Sequence, residues 1–177
     1  MLQNNWEKAA TVLQDVYNNS GHELEPIWTD MWTPEAEKTS KEFMFQKIHS
    51  ELSPSTGAHS LLYIRGDNTT QITFEYKPGL LDSFEDGDIR RDATLGFDIE
   101  GEALNNKYDF GKVGNLWTFD YQILRFTDVQ LLYAEALSMA AGSVQQQSLD
   151  LINEVRNRAG LDDITMTDVP DLNTFVE

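Results

Sequence analysis

Carboxylates and aromatic rings are the abundant side chains here that could do chemistry. Thirty Asp and Glu stand against thirteen Lys and Arg, for a formal net charge of −17. Two carboxylates flanking a glycosidic bond can hydrolyse it, one as acid and the other as base or nucleophile. With so many acids, however, a pair at any given spacing carries almost no information. A calcium loop demands more: oxygen ligands at set positions, a sharp-turn glycine and a closing bidentate acid. The acid-dense stretch from Leu80 to Asp92 fails that pattern. With Gly87 as the turn glycine, Phe84 falls on a ligand position and Ala93 on that of the closing acid.

Other chemistries have less to build on. There is no Cys, which excludes disulfides, thiol catalysis and Cys-ligated zinc. His22, His49 and His59 lack a second histidine at ligand spacing, so neither a metal nor another cofactor is expected. No G-x-S-x-G, phosphate-binding loop or H-E-x-x-H occurs. The expectation is a protein that is not an enzyme. The acidic balance argues against nucleic acid and anionic lipid as partners, although acidity also simply keeps a surface soluble. No stretch approaches the roughly 20-residue apolar run of a membrane span, and no signal-peptide pattern opens the chain, so direct membrane insertion is not expected.

The aromatics need elements to position them. Trp28 and Trp32 lie one helical step of four apart, in a connector with a short turn over 27–31. They either plug a gap between helices or offer a stacking surface for sugar rings, and packing is the stronger alternative. Upstream, Trp6, Ala9, Ala10, Leu13, Val16 and Tyr17 form one apolar stripe, predicting a helix over 5–17. Phe126, Val129, Tyr133, Ala136, Leu137 and Ala140 form another, which Gly142 ends. Ser143 reads as the next N-cap with Gln146 as its capping-box partner, and Leu149, Ile152, Val155 and Ala159 continue the period to Gly160. So short a joint folds the two helices back as an antiparallel hairpin of tetratricopeptide (TPR) type.

Between these helices the pattern is weaker. Thr33-Pro34-Glu35 reads as an N-cap followed by Pro at the first helical position. The alternation of Phe43 and Phe45 leans to a strand. Leu61 to Ile64 and Gln71 to Tyr76 read as short strands, with no helix of any length over 51–79, and 93–121 reads as irregular and rich in aromatics.

The hairpin residues also carry a resemblance. Arg125, then Leu131-Leu132-Tyr133-Ala134-Glu135-Ala136, a Gly at the joint, then Asn153-Glu154-Val155-Arg156-Asn157-Arg158-Ala159-Gly160-Leu161 resembles the SusD/RagB family. Ser40-Lys41-Glu42-Phe43-Met44-Phe45 is similar to that family's s-K-E-x-I-F stretch, and Asp88, Arg90 and Arg91 match its D-x-R-R segment. The resemblance implies a mainly α fold with TPR-like helical hairpins and an irregular, partly β insertion. It divides the chain into a helix over 1–21, an insertion over 22–124, the hairpin over 125–161 and a tail over 162–177, as a piece of a longer protein of the family.

Members are lipid-anchored surface proteins of Bacteroidota that bind glycans or other nutrients and pass them to a TonB-dependent outer-membrane transporter of the SusC type. For this chain the resemblance therefore implies non-catalytic glycan binding at the outer-membrane surface. The insertion is where a ligand would be met, and its candidate contacts are Trp28, Trp32, Tyr63 and Tyr76. The alternative is a TPR-type protein-interaction scaffold without sugar binding. Arg125 and Glu135 are expected to belong to scaffold ion pairs, and Asp88 to pair with the following arginines.

Overall fold

Helix α1 (Trp6–Asn19) opens the described part of the chain, and the Asn5 side chain caps it by accepting the Lys8 N–H at 3.1 Å. The computed structural model describes residues 5–33, 35–48, 79–97, 103–105, 112–113, 116–117 and 120–176. The apolar stripe read from the sequence is the covered face of α1. Trp6, Ala9, Ala10, Leu13, Val16 and Tyr17 are half-buried, while Glu7, Lys8, Thr11, Val12, Gln14 and Asp15 between them are exposed. That face packs on α4 (Phe126–Ala141). Tyr17 stacks on Phe126 with ring centroids 5.3 Å apart and tilts against Tyr133 at 5.8 Å. Such pairs add about 0.5–1.5 kcal/mol beyond the apolar area they bury.

Helix α4 is buried along two stripes because it also packs on α5 (Gln146–Arg158). The sequence shows the first stripe, with Phe126, Val129, Tyr133 and Ala136 all buried. The second comprises Thr127, Gln130, Ala134 and Ser138, which are polar or small. Along it Gln130 Nε2 donates to the Leu151 carbonyl at 2.9 Å, and the Ser138 hydroxyl donates to Ser148, which donates to the Ala134 carbonyl at 2.7 Å. Small residues bring the two axes close, and their hydroxyls keep buried polar atoms satisfied.

Gly142 ends α4 at φ +69°, a left-handed conformation that disfavours any Cβ. The expected Ser143 cap is not the one observed. Gln145 occupies the N-cap position of α5 without a side-chain cap bond, and its N–H donates to the Ser138 hydroxyl at 3.1 Å, holding the joint against α4 for two further residues. The Ser143 hydroxyl instead accepts from the Gln145 side chain at 2.9 Å. After Gly160 the tail returns along α5. Asn153 grips the Ile164 peptide twice, donating to its carbonyl and accepting its N–H, each at 2.9 Å. Arg156 donates to the Asp162 carbonyl at 2.9 Å. Asp171 then caps the short helix α6 (Leu172–Val176) by accepting the Thr174 N–H.

These helices belong to one compact unit, formed by Met1–Pro26, Lys41–Phe45 and Leu124–Glu177; Ile27–Ser40 and Gln46–Ile123 form a second. In the second, a 3-10 helix over Trp28–Trp32 packs on α2 (Ala36–Thr39) and α3 (Ile89–Thr94). The Thr33 hydroxyl accepts the Ala36 N–H at 3.2 Å, but the N-cap position of α2 is Glu35, two residues later than the expected Thr33. The stretch expected to be irregular contains short antiparallel ladders, β2 (Leu95–Phe97) with β3 (Ala103–Asn105) and β4 (Lys112–Val113) with β5 (Leu116–Trp117). Strand β1 (Phe43–Lys47) pairs with β6 (Tyr121–Arg125). Mainly helical with small two-stranded ladders is the fold of the described residues. The strands expected over 61–64 and 71–76 lie outside them.

Candidate functional site

The resemblance motif closes on a buried carboxylate. Glu42 is fully buried, and Oε2 is paired with the Arg158 guanidinium and accepts the Glu25 N–H at 2.8 Å. Its Oε1 accepts the Thr127 hydroxyl at 2.5 Å and stands 3.8 Å from Arg125 Nη1. Arg158 also donates to the Thr127 hydroxyl at 3.1 Å and to the Glu25 carbonyl at 3.2 Å. The Glu42 carbonyl accepts the Phe126 N–H at 2.8 Å. Two cations and two neutral donors around one buried carboxylate make a structural tie, since no oxygen is left open towards a ligand. Arg125 thus stands in an ion-pair cluster as expected. Glu135 does not; it is half-exposed on α4 and takes no part in the ion pairs of the described residues.

Three positions of the N-E-V-R-N-R-A-G run have a mechanical task. Asn153 holds the tail, Arg156 holds the Asp162 carbonyl, and Arg158 holds Glu42. Asp88 is buried and bonded to Arg90 through both carboxylate oxygens, at 2.9 and 2.6 Å, while Arg91 is exposed. This local fork is the pairing that the sequence implies, without Arg91.

The four candidate aromatics separate. Tyr63 and Tyr76 lie outside the described residues. Trp28 and Trp32 are 5% and 9% exposed, with ring centroids 5.4 Å apart in an edge-on arrangement. Together with Met31 they are buried among the described residues of the second unit, as the packing alternative expects. His22 donates from Nδ1–H to the Lys41 carbonyl at 2.7 Å, a backbone contact; His49 and His59 lie outside the described residues. No group of acids and histidines among the described residues could hold a metal ion.

Sequence reasoning missed a second buried acid pair. Glu37 on α2 and Asp120 ahead of β6 are 8% and 7% exposed. Glu37 Oε1 accepts the Asp120 N–H at 2.6 Å, and the Glu37 carbonyl accepts Gln46 Nε2 at 2.9 Å. Burial pushes the Glu37 carboxyl up to about 7, with the Asp120 charge adding to the rise and the Asp120 N–H and Lys38 opposing it. The separation of 83 positions hides this pair, and nothing in the local pattern around Glu37 distinguishes it from other acids of so acidic a chain.

Comparison with known proteins places this architecture. A SusD superfamily protein from Parabacteroides distasonis superposes with a TM-score of 0.73 at 20% identity, over 97% of this chain and 41% of that one. Surface glycan-binding protein A from Bacteroides uniformis gives 0.68 at 22%, over 96% and 41%. Surface glycan-binding protein A from Bacteroides thetaiotaomicron, in complex with laminarihexaose, gives 0.69 at 20%, over 98% and 47%. The chain therefore spans less than half the length of these structures, and at such identities the likeness is one of fold. No curated protein sequence matches it significantly. The fold is the helical SusD-like one. Residues 104–175 match the model of the SusD family.

Proposed function

We propose that this chain is part of a protein that binds a glycan at the cell surface without cleaving it. The observation that carries this reading is the fold match over nearly the whole chain to surface glycan-binding proteins, one of them holding laminarihexaose. The family pattern serves the scaffold, through Glu42, Arg158 and Asn153, so the ligand contacts belong to the variable insertion. Tyr63 and Tyr76 are assigned as its stacking platforms, and Trp28 and Trp32 as core. Aromatic faces with a few amide and carboxylate groups suit a neutral sugar, orienting it by hydroxyl hydrogen bonds. In this reading the whole protein works at the outer-membrane surface beside a SusC-type TonB-dependent transporter.

One observation favours the scaffold alternative: Leu131 and Leu132 stand 40% and 50% exposed on α4, as a protein-docking face requires. Affinity-gel electrophoresis against laminarin, starch, xylan and mannan tests both readings. Retardation by one glycan is expected, with Tyr63→Ala or Tyr76→Ala weakening it about tenfold or more, a loss of at least about 1.4 kcal/mol. No retardation by a folded chain, or retardation untouched by both variants, removes the assignment. Release of reducing sugar above blank would contradict the non-catalytic part.

A further inference from the structure

We propose that the glycan bound by this chain is uncharged, and that glycans bearing uronate or sulfate groups are turned away by charge. This rests on the glycan-binding reading above and names the ligand class of that same site. An oxyanion on a ligand is best received by arginine, whose planar fork donates two parallel hydrogen bonds to it. The chain has six arginines, and its own scaffold engages four of them. Arg158 is paired with Glu42 and bonded to Thr127 and the Glu25 carbonyl. Arg125 stands beside the same carboxylate, Arg156 holds the Asp162 carbonyl, and Arg90 is forked on Asp88. Among the described residues Arg91 is the one exposed arginine, and exposed acids precede and follow it, at Asp82, Glu85, Asp86 and Asp92. Arg65 lies outside the described residues.

The field of the whole chain acts in the same direction. Its net charge is −17, and at about 20 mM salt the screening length is roughly 20 Å. A polyanion therefore meets repulsion from charges well beyond the residues that touch it. Hydrogen-bond chemistry agrees with the field. Ionised Asp and Glu side chains only accept, and the hydroxyls of a neutral sugar can donate to them. A uronate is itself acceptor-only, so it would set acceptor against acceptor.

The sign of the salt dependence tests this. Laminarin, starch, xylan and mannan would each be prepared unmodified, sparsely carboxymethylated and equally hydroxyethylated. Calorimetric titration of the chain would be run at about 20 mM and about 500 mM sodium chloride, where the screening length falls to roughly 4 Å. For the glycan that binds, the unmodified and hydroxyethyl forms should change affinity by less than about twofold between the two salts. The carboxymethyl form should bind about tenfold or more weakly at low salt and recover as salt rises, because screening relieves repulsion. A carboxymethyl form that binds as tightly as the unmodified glycan at low salt, or whose affinity does not rise with salt, overturns exclusion by charge and leaves glycan binding standing. An equal loss in the hydroxyethyl form assigns the discrimination to bulk and overturns it as well. Binding of none of the four glycans in any form removes the glycan-binding reading itself, and this inference with it.

Discussion

Removing Arg158 should damage the frame more than removing any other charged side chain of the hairpin. In Arg158→Met the aliphatic stem is kept and the guanidinium is lost. Glu42, fully buried, would then keep the Thr127 hydroxyl and the Glu25 N–H, with Arg125 3.8 Å away as its remaining cation. Leaving one member of a buried pair without its partner costs about 3–5 kcal/mol. For a chain of this size each kcal/mol moves the melting temperature by about 2–4 °C, so a drop of about 6–20 °C is expected. The assay is urea and thermal denaturation of the wild type, Arg158→Met, Glu42→Gln and the double variant. In the double variant the amide oxygen can accept the Glu25 N–H, the Thr127 hydroxyl can turn to accept from the amide NH2, and no charge is stranded, so at least half the loss should be recovered. Arg125→Met, at longer range and 22% exposed, should cost about 1 kcal/mol or less. An Arg158→Met loss below about 1 kcal/mol, or a double variant as unstable as the sum of the two singles, would refute the tie.

Three further outcomes follow from the geometry. Ser148→Ala removes the hydroxyl linking Ser138 to the Ala134 carbonyl and should cost about 1–3 kcal/mol of unfolding free energy, measured in urea. Asn153→Ala frees the Ile164 peptide, and hydrogen exchange at the Ile164 amide should accelerate about tenfold or more while the α4 amides stay protected. Glu37→Gln should stabilise the fold at pH 8 by up to about 3 kcal/mol and leave it unchanged near pH 4. The sign follows from a folded carboxyl at about 7 against 4.5 unfolded: its penalty is absent below the lower value, grows between the two and is complete above the higher. Paired denaturation curves across that window check it.

What could be read from the sequence was local and periodic. The α1 stripe, the first α4 stripe and the Gly142 stop depend on neighbours within a turn or two, and the structure places them as the spacing implies. The second α4 stripe escaped notice because Gln130 and Ser138 do not look like core residues; burial suits them only because α5 supplies their partners. The Gln145 cap was likewise decided by a contact to Ser138, overriding a reasonable Ser143 signal. Glu42 with Arg158, 116 positions apart, and Glu37 with Asp120 have no local signature at all. Trp28 and Trp32 show the same limit from the other side, since their spacing fits packing and stacking equally and burial alone separates the two.

The bond from the Phe126 N–H to the Glu42 carbonyl has an evolutionary corollary. It fastens the two mouths of the intervening excursion to each other, inside a frame that owes its cohesion to α1, α4 and α5. An excursion with both mouths fastened can change length at only logarithmic entropic expense, roughly 0.6 kcal/mol per doubling. The excursion can therefore be lengthened or shortened at small cost without altering the helices of the frame.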